Sequence, residues 1–245
     1  MDRQDVVWQG ASLVRTFVNE VRGGVPYGAD QIAVMLRVLD ACGLPVQRFA
    51  DLGCGSGVLA RAVLASHPTA QAALVDFSEP MMTEARRELS NHRPAPRFVV
   101  GDLAQPAWSD AVRDLAPFDA IVSGYAIHHL QHERKRALYG EIFDLLAPGG
   151  MFLNVEHVAS VTAWIESVSD ELMIDSIFEF HRQRGGEKSR QQVADEFVHR
   201  PDKAANILAP VEEQCGWLRG IGFVDVDCFF KAFELAVFGG RKPQV

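Results

Sequence analysis

Short apolar runs alternate along the middle of the chain with segments whose apolar positions recur at helical spacing. VQRFADL, AQAALVD, APRFVVGD, FDAIVSG and GMFLNVEHV are the strand-like runs. The spacing between them predicts helices over 58–66, 79–91 and 133–146, and a weaker helix over 108–115. Strands that alternate with helices of this length predict right-handed crossovers and a parallel sheet buried on both faces.

Two segments depart from this alternation, and both read as helical. One covers residues 1–45, and the other runs from about 160 to 207 with many charges, so we interpret it as a cap inserted after the fifth strand. A last helix is predicted to begin at Pro210 and end at Gly222. The runs VDVDCFF and FELAVFGG then follow with a link too short for a crossover helix, which predicts an antiparallel hairpin.

A glycine-rich loop follows the first predicted strand. The strand ends at Leu52, glycines stand at positions 53, 55 and 57, and a helix starts at once. Glycine permits a tight turn and lets a ligand approach the main chain. The helix start adds free N–H groups, and ligands of open α/β sheets bind at the carboxyl ends of the strands. The loop therefore predicts a ligand site, with a purely structural turn as the alternative.

The loop fits a dinucleotide poorly. The dinucleotide fingerprint requires a small third residue for close helix–strand packing, and Val58 occupies that position. Asp51 is unsuited to a neighbouring pyrophosphate but suits an ammonium group. The residues favour a zwitterionic nucleoside that carries a sulfonium.

Acidic residues end the next two strands as well. Asp76 follows AALV at about the distance where nucleoside-binding folds place a carboxylate for the ribose hydroxyls. Asp102 follows the third strand, where it would accept a hydrogen bond from an adenine amino group. Each acid alone could be a loop residue or a helix cap, Asp76 for the helix near Glu79. Three acids at successive strand ends predict one shared crevice.

These segments together resemble class I S-adenosylmethionine-dependent methyltransferases. The matching motifs are ADLGCGSG, LVDFSEPMM, VVGD, FDAIVSGYAIHHL, LLAPGGMFLNVE and FELAVFGGRK, which cover roughly residues 45–157 and 208–242. The resemblance implies S-adenosylmethionine as cofactor and S-adenosylhomocysteine as product. The cofactor contacts that it implies are Tyr27, Asp51, Gly53, Gly55, Gly57, Asp76, Phe77, Asp102, Leu103 and Ser123.

The resemblance also assigns roles to these positions. Asp51 and the glycines would meet the methionine end of the cofactor, Asp76 the ribose, and Asp102 with Leu103 the adenine. Ser123 would line the methionine and sulfonium side, and Tyr27 would fold over the cofactor.

The implied fold class is α/β: a Rossmann-like, seven-stranded, mostly parallel sheet with an antiparallel C-terminal hairpin and a helical cap. The predicted divisions are an N-terminal cap segment (1–45), the cofactor-binding core (46–158), the cap insertion (159–207), and the final helix with the hairpin (208–245).

Candidate catalytic residues follow the fourth and fifth strands: Tyr125, His128 and Glu156. Methyl transfer needs in-line alignment, and a hydroxyl acceptor also gains from a positioned base, for which His128 is the candidate. Glu156 and His157, at the end of the fifth strand, could hold the acceptor. Alternatively, His128 only orders its loop and Glu156 only anchors its strand end. His129 and His132 have a metal-binding spacing without an evident third ligand, so no metal is predicted.

Composition narrows the partners and the location. The 32 acidic and 24 basic residues give a net charge of −8, which makes nucleic acid an unfavoured partner. The 4 cysteines form no C-x-x-C pair, and the chain shows neither a secretion signal nor an apolar stretch long enough to cross a bilayer. We expect a cytoplasmic enzyme without membrane association; homodimer formation is an open option.

The predicted function is methyl transfer from S-adenosylmethionine to a small organic acceptor. Arginines of the cap could clamp an acidic acceptor, although solvated positions are the simpler interpretation: Arg182, Arg184, Arg190 and Arg200. The alternatives are a carboxy-S-adenosylmethionine synthase-like enzyme, a tRNA methyltransferase, a non-catalytic S-adenosylmethionine-binding subunit and an NAD-dependent oxidoreductase.

Overall fold

The structure is a computed structural model that describes residues 4–17 and 21–244. Within these residues, seven strands form one sheet in the order β3-β2-β1-β4-β5-β7-β6. The strands are β1 (Arg48–Leu52), β2 (Gln71–Asp76), β3 (Arg97–Val100), β4 (Phe118–Gly124), β5 (Leu146–His157), β6 (Val224–Ala232) and β7 (Leu235–Arg241). β7 is antiparallel to both of its neighbours, β5 and β6, and the other pairings are parallel. The predicted mostly parallel sheet with a C-terminal hairpin is confirmed.

The order of the strands in the sheet indicates where a binding crevice lies. The chain moves from β1 outward to β2 and β3, then returns to β4 on the other side of β1. In open α/β sheets, such a reversal leaves a crevice between the loops that follow the two central strands. The loops after β1 and β4 therefore flank the opening that the glycine motif predicts.

Helices cover both faces of the sheet. They are α1 (Ala11–Thr16), α2 (Gly28–Ala41), α3 (Val58–Ser66), α4 (Glu79–Glu88), α5 (His132–Leu145), α6 (Ala163–Gln183), α7 (Arg190–Val198) and α8 (Val211–Ile221). One face packs α2, α3 and α4 around Phe49 and Leu74, and the other packs α5 and α8 around Phe152. Both faces of the central strands are thus buried, which accounts for their continuous apolar runs.

Helix boundaries agree with the sequence where a capping residue marks them. α3 has the predicted bounds, and Gly222, with a φ of 119°, ends α8 as expected. Pro210 is the residue before α8 rather than its first residue. The helix predicted over 108–115 is wrong: two 3₁₀ turns occupy the region, and Pro117 requires an extended residue directly before it.

The inserted segment forms its own small helical layer. α6 and α7 pack against each other through Ile174, Ile177, Val193 and Phe197. α6 also contacts the turn Arg22–Gly24, where Gly24 lies so close to Ile177 that a Cβ would be 3.0 Å from its Cα. The insertion and the N-terminal segment therefore form one cover over the carboxyl edge of the sheet. None of the helices in the described part of the chain has the length and apolarity that spanning a bilayer requires.

Candidate functional site

A cavity of about 1040 Å³ lies between the carboxyl ends of the strands and this cover. Its floor is made by the loops after β1, β2, β3 and β4, and its roof by the N-terminal segment, α6, α7 and the loop that follows α7. The volume is at the upper end of the range for small-molecule sites. The cavity can therefore hold a nucleoside-sized ligand together with a second small molecule.

The glycine loop turns the chain sharply after β1. Gly53, Gly55 and Gly57 all have left-handed φ angles, of 65°, 52° and 78°. The amides of Gly53 and Cys54 both donate to the carbonyl of Val75, at 2.7 and 3.0 Å, which ties the loop to β2. A Cβ on Gly53 would lie 2.1 Å from the Cβ of Ala126, so this position excludes every other residue.

The three glycines differ in what they face. Gly53 and Gly55 line the cavity, whereas Gly57 does not. A Cβ on Gly57 would lie 3.3 Å from Leu89 and 3.4 Å from Ala85, so Gly57 serves the turn into α3 and its packing on α4. Contact of Gly57 with a cofactor stays a prediction of the resemblance.

The three acids at the carboxyl ends of β1, β2 and β3 line the same cavity. Asp51 Oδ2 accepts from the amide of Ala60 at 2.9 Å, and Asp102 Oδ1 accepts from the amide of Ala104 at 2.9 Å. Phe77 and Leu103 also line the cavity beside their acids. The crevice shared by the three carboxylates, which the sequence predicts, is present.

Asp76 is held by the backbone on both oxygens. Its Oδ2 accepts from the amide of Gly55 and its Oδ1 from the amide of Ser78, both at 2.8 Å. Burial raises the pKa of Asp76, while the amides of Ser78, Gly55 and Phe77 act in the opposite direction. Each carboxylate oxygen has a second lone pair, so Asp76 can still accept two hydroxyl groups.

Two further predicted cofactor contacts lie outside the cavity lining. Ser123 is fully buried, and its hydroxyl donates to the carbonyl of Leu52 at 2.7 Å, which joins β4 to β1. Tyr27 precedes α2 with a left-handed φ of 57°; its side chain is 44% exposed and lies 6.0 Å from the ring of Phe230. Neither side chain is placed as the resemblance implies.

Other residues of the N-terminal region cover the cavity instead. The carbonyl of Trp8 accepts from the hydroxyl of Ser78 at 2.5 Å, and its indole donates to Nε2 of His129 at 3.2 Å. Gln31 is fully buried, and its Oε1 accepts from the hydroxyl of Tyr125 at 2.6 Å. The sequence contained a signal for Gln31, because it shares the buried face of α2 with Met35 and Leu39 at helical spacing.

His128 and Glu156 form a buried pair. His128 Nδ1 lies 2.6 Å from Glu156 Oε1, and the His128 amide donates to Oε2 at 3.0 Å. Glu156 also accepts from the amide of His157 at 2.9 Å and from Asn154 at 3.3 Å. Glu156 is fully buried and does not line the cavity, so it orients His128 and cannot itself touch an acceptor.

The protonation of this pair follows from its surroundings. Burial raises the pKa of Glu156, whereas the His157 amide and the Lys135 ammonium act against this rise. Burial, and after it the charges of His157, Lys135 and Arg200, hold the pKa of His128 well below its ordinary value. His128 is therefore a neutral imidazole at pH 7 that donates from Nδ1 and keeps a lone pair on Nε2.

A single arginine lines the cavity in the part of the chain that the structure describes. The guanidinium of Arg200 lies 4.2 Å from the centre of the Phe197 ring, and its Nε is 3.3 Å from Asp202. Of the other cap arginines, Arg182 pairs with Glu179 and Arg190 pairs with Asp175 on the surface. Only Arg200 among the four candidates faces the site.

The histidine pair with metal-binding spacing does not converge. Nδ1 of His129 lies 3.1 Å from the carbonyl of Ala205, whereas the ring of His132 packs on Trp217 at 5.9 Å. Within the described residues, no three histidine, cysteine, aspartate or glutamate side chains are grouped so that they could hold a metal ion.

Known proteins resemble this chain in sequence and in fold. A family model described as a methyltransferase domain matches residues 49–150. The chain is 28% identical to carboxy-S-adenosyl-L-methionine synthase of Aeromonas hydrophila over 229 residues, which cover 91% of this chain and 85% of the relative. It is also 30% identical to demethylmenaquinone methyltransferase of Leptospira interrogans over 122 residues, 49% of this chain and 47% of the relative.

These matches support the interpretation of the chain as a class I S-adenosylmethionine-dependent methyltransferase. The fold of this methyltransferase agrees with a solved structure titled PigF with SAH, with a TM-score of 0.62 and 17% identity. That match covers 99% of the methyltransferase but only 63% of the PigF chain, so the methyltransferase spans less than two thirds of that protein. At this identity the likeness concerns the fold alone.

The carboxylates that line the cavity of the methyltransferase suit S-adenosylmethionine. The cofactor carries an ammonium, a sulfonium, a ribose diol and an adenine amino group, and carboxylates at three strand ends can accept from or attract each of these. The absence of a basic residue from the glycine loop and the presence of Val58 at the third fingerprint position disfavour a pyrophosphate there.

Proposed function

We propose that this enzyme binds S-adenosylmethionine across the ends of β1 to β4 and methylates a small organic acceptor beneath the cap. In this arrangement Asp51 and Gly53 meet the methionine end, Asp76 the ribose, and Asp102 the adenine. The observation that carries the proposal is the convergence of three carboxylates from successive strand ends on one covered cavity.

When bound, the cofactor would supply a methyl group on a positively charged sulfur. A lone pair of the acceptor would bond to the methyl carbon in line with the carbon–sulfur bond, which breaks to leave S-adenosylhomocysteine. The chain contributes alignment, and the cover over the cavity excludes water from the reacting atoms. For a hydroxyl acceptor, Nε2 of His128 takes the proton while Glu156 holds the ring through Nδ1. Such a base contributes about 10²–10⁴-fold to the rate.

A small acceptor suits the cover better than a polymer does. The roof carries apolar side chains, Met173, Ile177 and Phe197 among them, and the floor carries His128. A small acceptor built on a ring or a short chain can therefore pack against the apolar roof while its reactive atom faces His128. Homodimer formation and a cytoplasmic location stay predictions of the sequence, and light scattering of the purified protein tests the first.

Replacement of Asp76 tests the cofactor assignment. Asp76→Ala removes the acceptor for the ribose hydroxyls, so the dissociation constant of S-adenosylhomocysteine should rise by about 5- to 150-fold, or about 1–3 kcal/mol. Isothermal titration calorimetry measures it, with Asp110→Ala as the matched control because Asp110 is exposed and pairs with Arg113, three residues further along the chain. Equal affinities of the Asp76→Ala variant and the wild type would refute the assignment.

A second candidate function is modification of the cofactor itself. Relatives named carboxy-S-adenosyl-L-methionine synthase align with about nine tenths of the chain. Arg200 is a cavity-facing cation, beside His128, that could bind a carboxylate during such a reaction.

Mass spectrometry of the nucleoside that co-purifies with the protein separates the two functions. Methyl transfer predicts S-adenosylmethionine or S-adenosylhomocysteine alone. Carboxylation predicts a heavier carboxylated nucleoside that is lost from Arg200→Met but retained by Arg190→Met, whose guanidinium is on the surface.

A further inference from the structure

The proposed mechanism leaves a second histidine–glutamate pair of the cavity unused. His157 ends β5 and lines the cavity, and its Nε2 lies 2.8 Å from Oε2 of Glu234. Glu234 is buried just before β7, and its Oε1 accepts from the amide of Ser160 at 3.2 Å. Burial raises the pKa of Glu234, but the hydrogen bonds from His157 and Ser160 outweigh it, so the pKa lies below its ordinary value. Glu234 is therefore ionised at neutral pH, and Nε2 of His157 carries the proton.

The two pairs are arranged alike around the same space. The rings of His128 and His157 lie 5.8 Å apart and nearly perpendicular, at 72°. Each ring has one nitrogen held by a buried glutamate. The other nitrogens, Nε2 of His128 and Nδ1 of His157, make no hydrogen bond within the described part of the chain. Both rings line the cavity, so both nitrogens are available to a ligand.

We propose that His157, oriented by Glu234, is an acceptor-binding residue that holds a second oxygen of the acceptor beside the hydroxyl that His128 deprotonates. This inference rests on the proposed function and narrows its substrate class. The two rings are neighbours, with centres 5.8 Å apart, so two oxygens that point the same way, as on neighbouring carbon atoms, can each approach one ring to a hydrogen-bond distance of ~2.8 Å. Oxygens on opposite sides of a six-membered ring point in opposite directions and cannot both face these two imidazoles. The acceptor class is therefore a hydroxyl or enol with a second oxygen on the adjacent carbon.

A purely structural role for the pair makes a different prediction. In that role, the pair would only tie the end of β5 to the turn between β6 and β7, and ligand selectivity would not depend on His157. Three isomers distinguish the roles, because catechol, resorcinol and hydroquinone have the same atoms and differ only in the spacing of their oxygens. Each isomer is titrated by calorimetry into protein saturated with S-adenosylhomocysteine.

The variants separate the hydrogen bond of His157 from its packing. His157→Phe removes the ligand-facing nitrogen, whereas His157→Asn keeps a hydrogen-bonding group near the position of Nδ1. His67→Phe is the matched control, because the side chain of His67 has the same 20% exposure and lies at the opposite edge of the sheet, at the end of α3. Thermal melting of each variant verifies that it is folded.

In the wild type, catechol should bind about five- to tenfold more tightly than hydroquinone, as one added hydrogen bond implies. The preference should persist in His157→Asn and His67→Phe and fall to about one in His157→Phe. Equal binding of the three isomers by the wild type, absence of catechol binding, or a preference that survives in His157→Phe would overturn the inference. Failure of S-adenosylhomocysteine itself to bind would instead refute the proposed function.

Discussion

His129 joins three segments of the chain through one imidazole ring. Its Nε2 accepts from the indole of Trp8, and its Nδ1 therefore carries the proton and donates to the carbonyl of Ala205. Burial, with a further contribution from His128, lowers the pKa of His129 from its ordinary value of 6.5 to about 3. A proton on Nε2 would point at the indole N–H of Trp8, which is also a donor, so His129 is neutral in the folded state.

This ring makes the stability of the fold depend on pH. Because the folded pKa of His129 is below its unfolded value, the unfolded chain takes up a proton as the pH falls through 6.5 and the folded protein does not until about pH 3. Stability is therefore lost as the pH falls through this window. At about pH 5, the loss attributable to His129 is about 2 kcal/mol.

Urea denaturation at pH 7.5 and at pH 5 measures this loss. The decrease in unfolding free energy between the two pH values should be about 2 kcal/mol smaller in His129→Asn than in the wild type. The exposed His199 provides the control, and His199→Asn should keep the decrease of the wild type. Equal decreases in wild type and His129→Asn would show that His129 is protonated in the folded protein.

Single residues show how far the sequence could be interpreted. Asp51, Asp76 and Asp102 were predictable because each lies at or next to the carboxyl end of a strand, at a known edge of the sheet. Glu156 was misjudged because side chains alternate along a strand, so His157 faces the cavity while Glu156 faces the interior. The direction of Tyr27 follows from one positive φ angle, which the sequence does not indicate for a tyrosine.

The glycine loop is the element on which the site depends most. Gly53 has both a left-handed φ and no room for a Cβ, because Ala126 of the loop after β4 occupies that space. Gly43 has a similar φ of 73°, but no atom lies within 4 Å of a Cβ placed there. A comparison of Gly43 with Gly53 therefore separates the effect of backbone strain from the effect of close contact between the loops after β1 and β4.

Alanine at these glycines should have unequal effects. Gly43→Ala adds only backbone strain, about 1–2 kcal/mol of lost stability. Gly53→Ala adds the overlap with Ala126, for a loss of about 2–5 kcal/mol, and weakens binding of S-adenosylhomocysteine. Thermal or urea denaturation and calorimetry measure both variants. Comparable losses in stability would mean that the loops after β1 and β4 do not touch.

Element boundaries were predictable where local chemistry determines them. α3 begins where the glycine motif ends, and the hairpin of β6 and β7 follows from the shortness of their link. The segment over 108–115 was not, because two 3₁₀ turns take the place of the helix that its spacing predicts. Local capping is visible in a sequence, whereas competition between neighbouring constraints is not.

At the scale of the whole molecule, the cavity is closed by two segments that are far apart in the chain. The N-terminal segment meets the core at Ser78 and His129, and the loop after α7 meets it where the amide of Ile207 donates to the carbonyl of His128. The sheet order follows from general rules of chain crossover. The position of the cap over the sheet does not follow from such rules, because Arg200 and Trp8 reach the site through tertiary contacts that leave no periodic pattern in the sequence.

Ligand binding should stabilise this cover. A ligand that fills the cavity contacts both segments, so amide hydrogen exchange in residues 4–17 and 199–206 should slow at least severalfold when S-adenosylhomocysteine is added. Exchange measured by mass spectrometry tests this, with α8 as an internal reference because it packs on the face of the sheet away from the cavity lining. Unchanged exchange in both segments would show that they do not close over a ligand.

The most direct test of the account is a crystal structure with S-adenosylhomocysteine bound. An extended nucleoside should lie across the ends of β1 to β4, with the ribose hydroxyls within hydrogen-bond distance of Asp76. The adenine should lie beside Asp102, and the vacated methyl position should face His128. A ligand bound elsewhere, or a ribose that makes no contact with Asp76, would contradict the account.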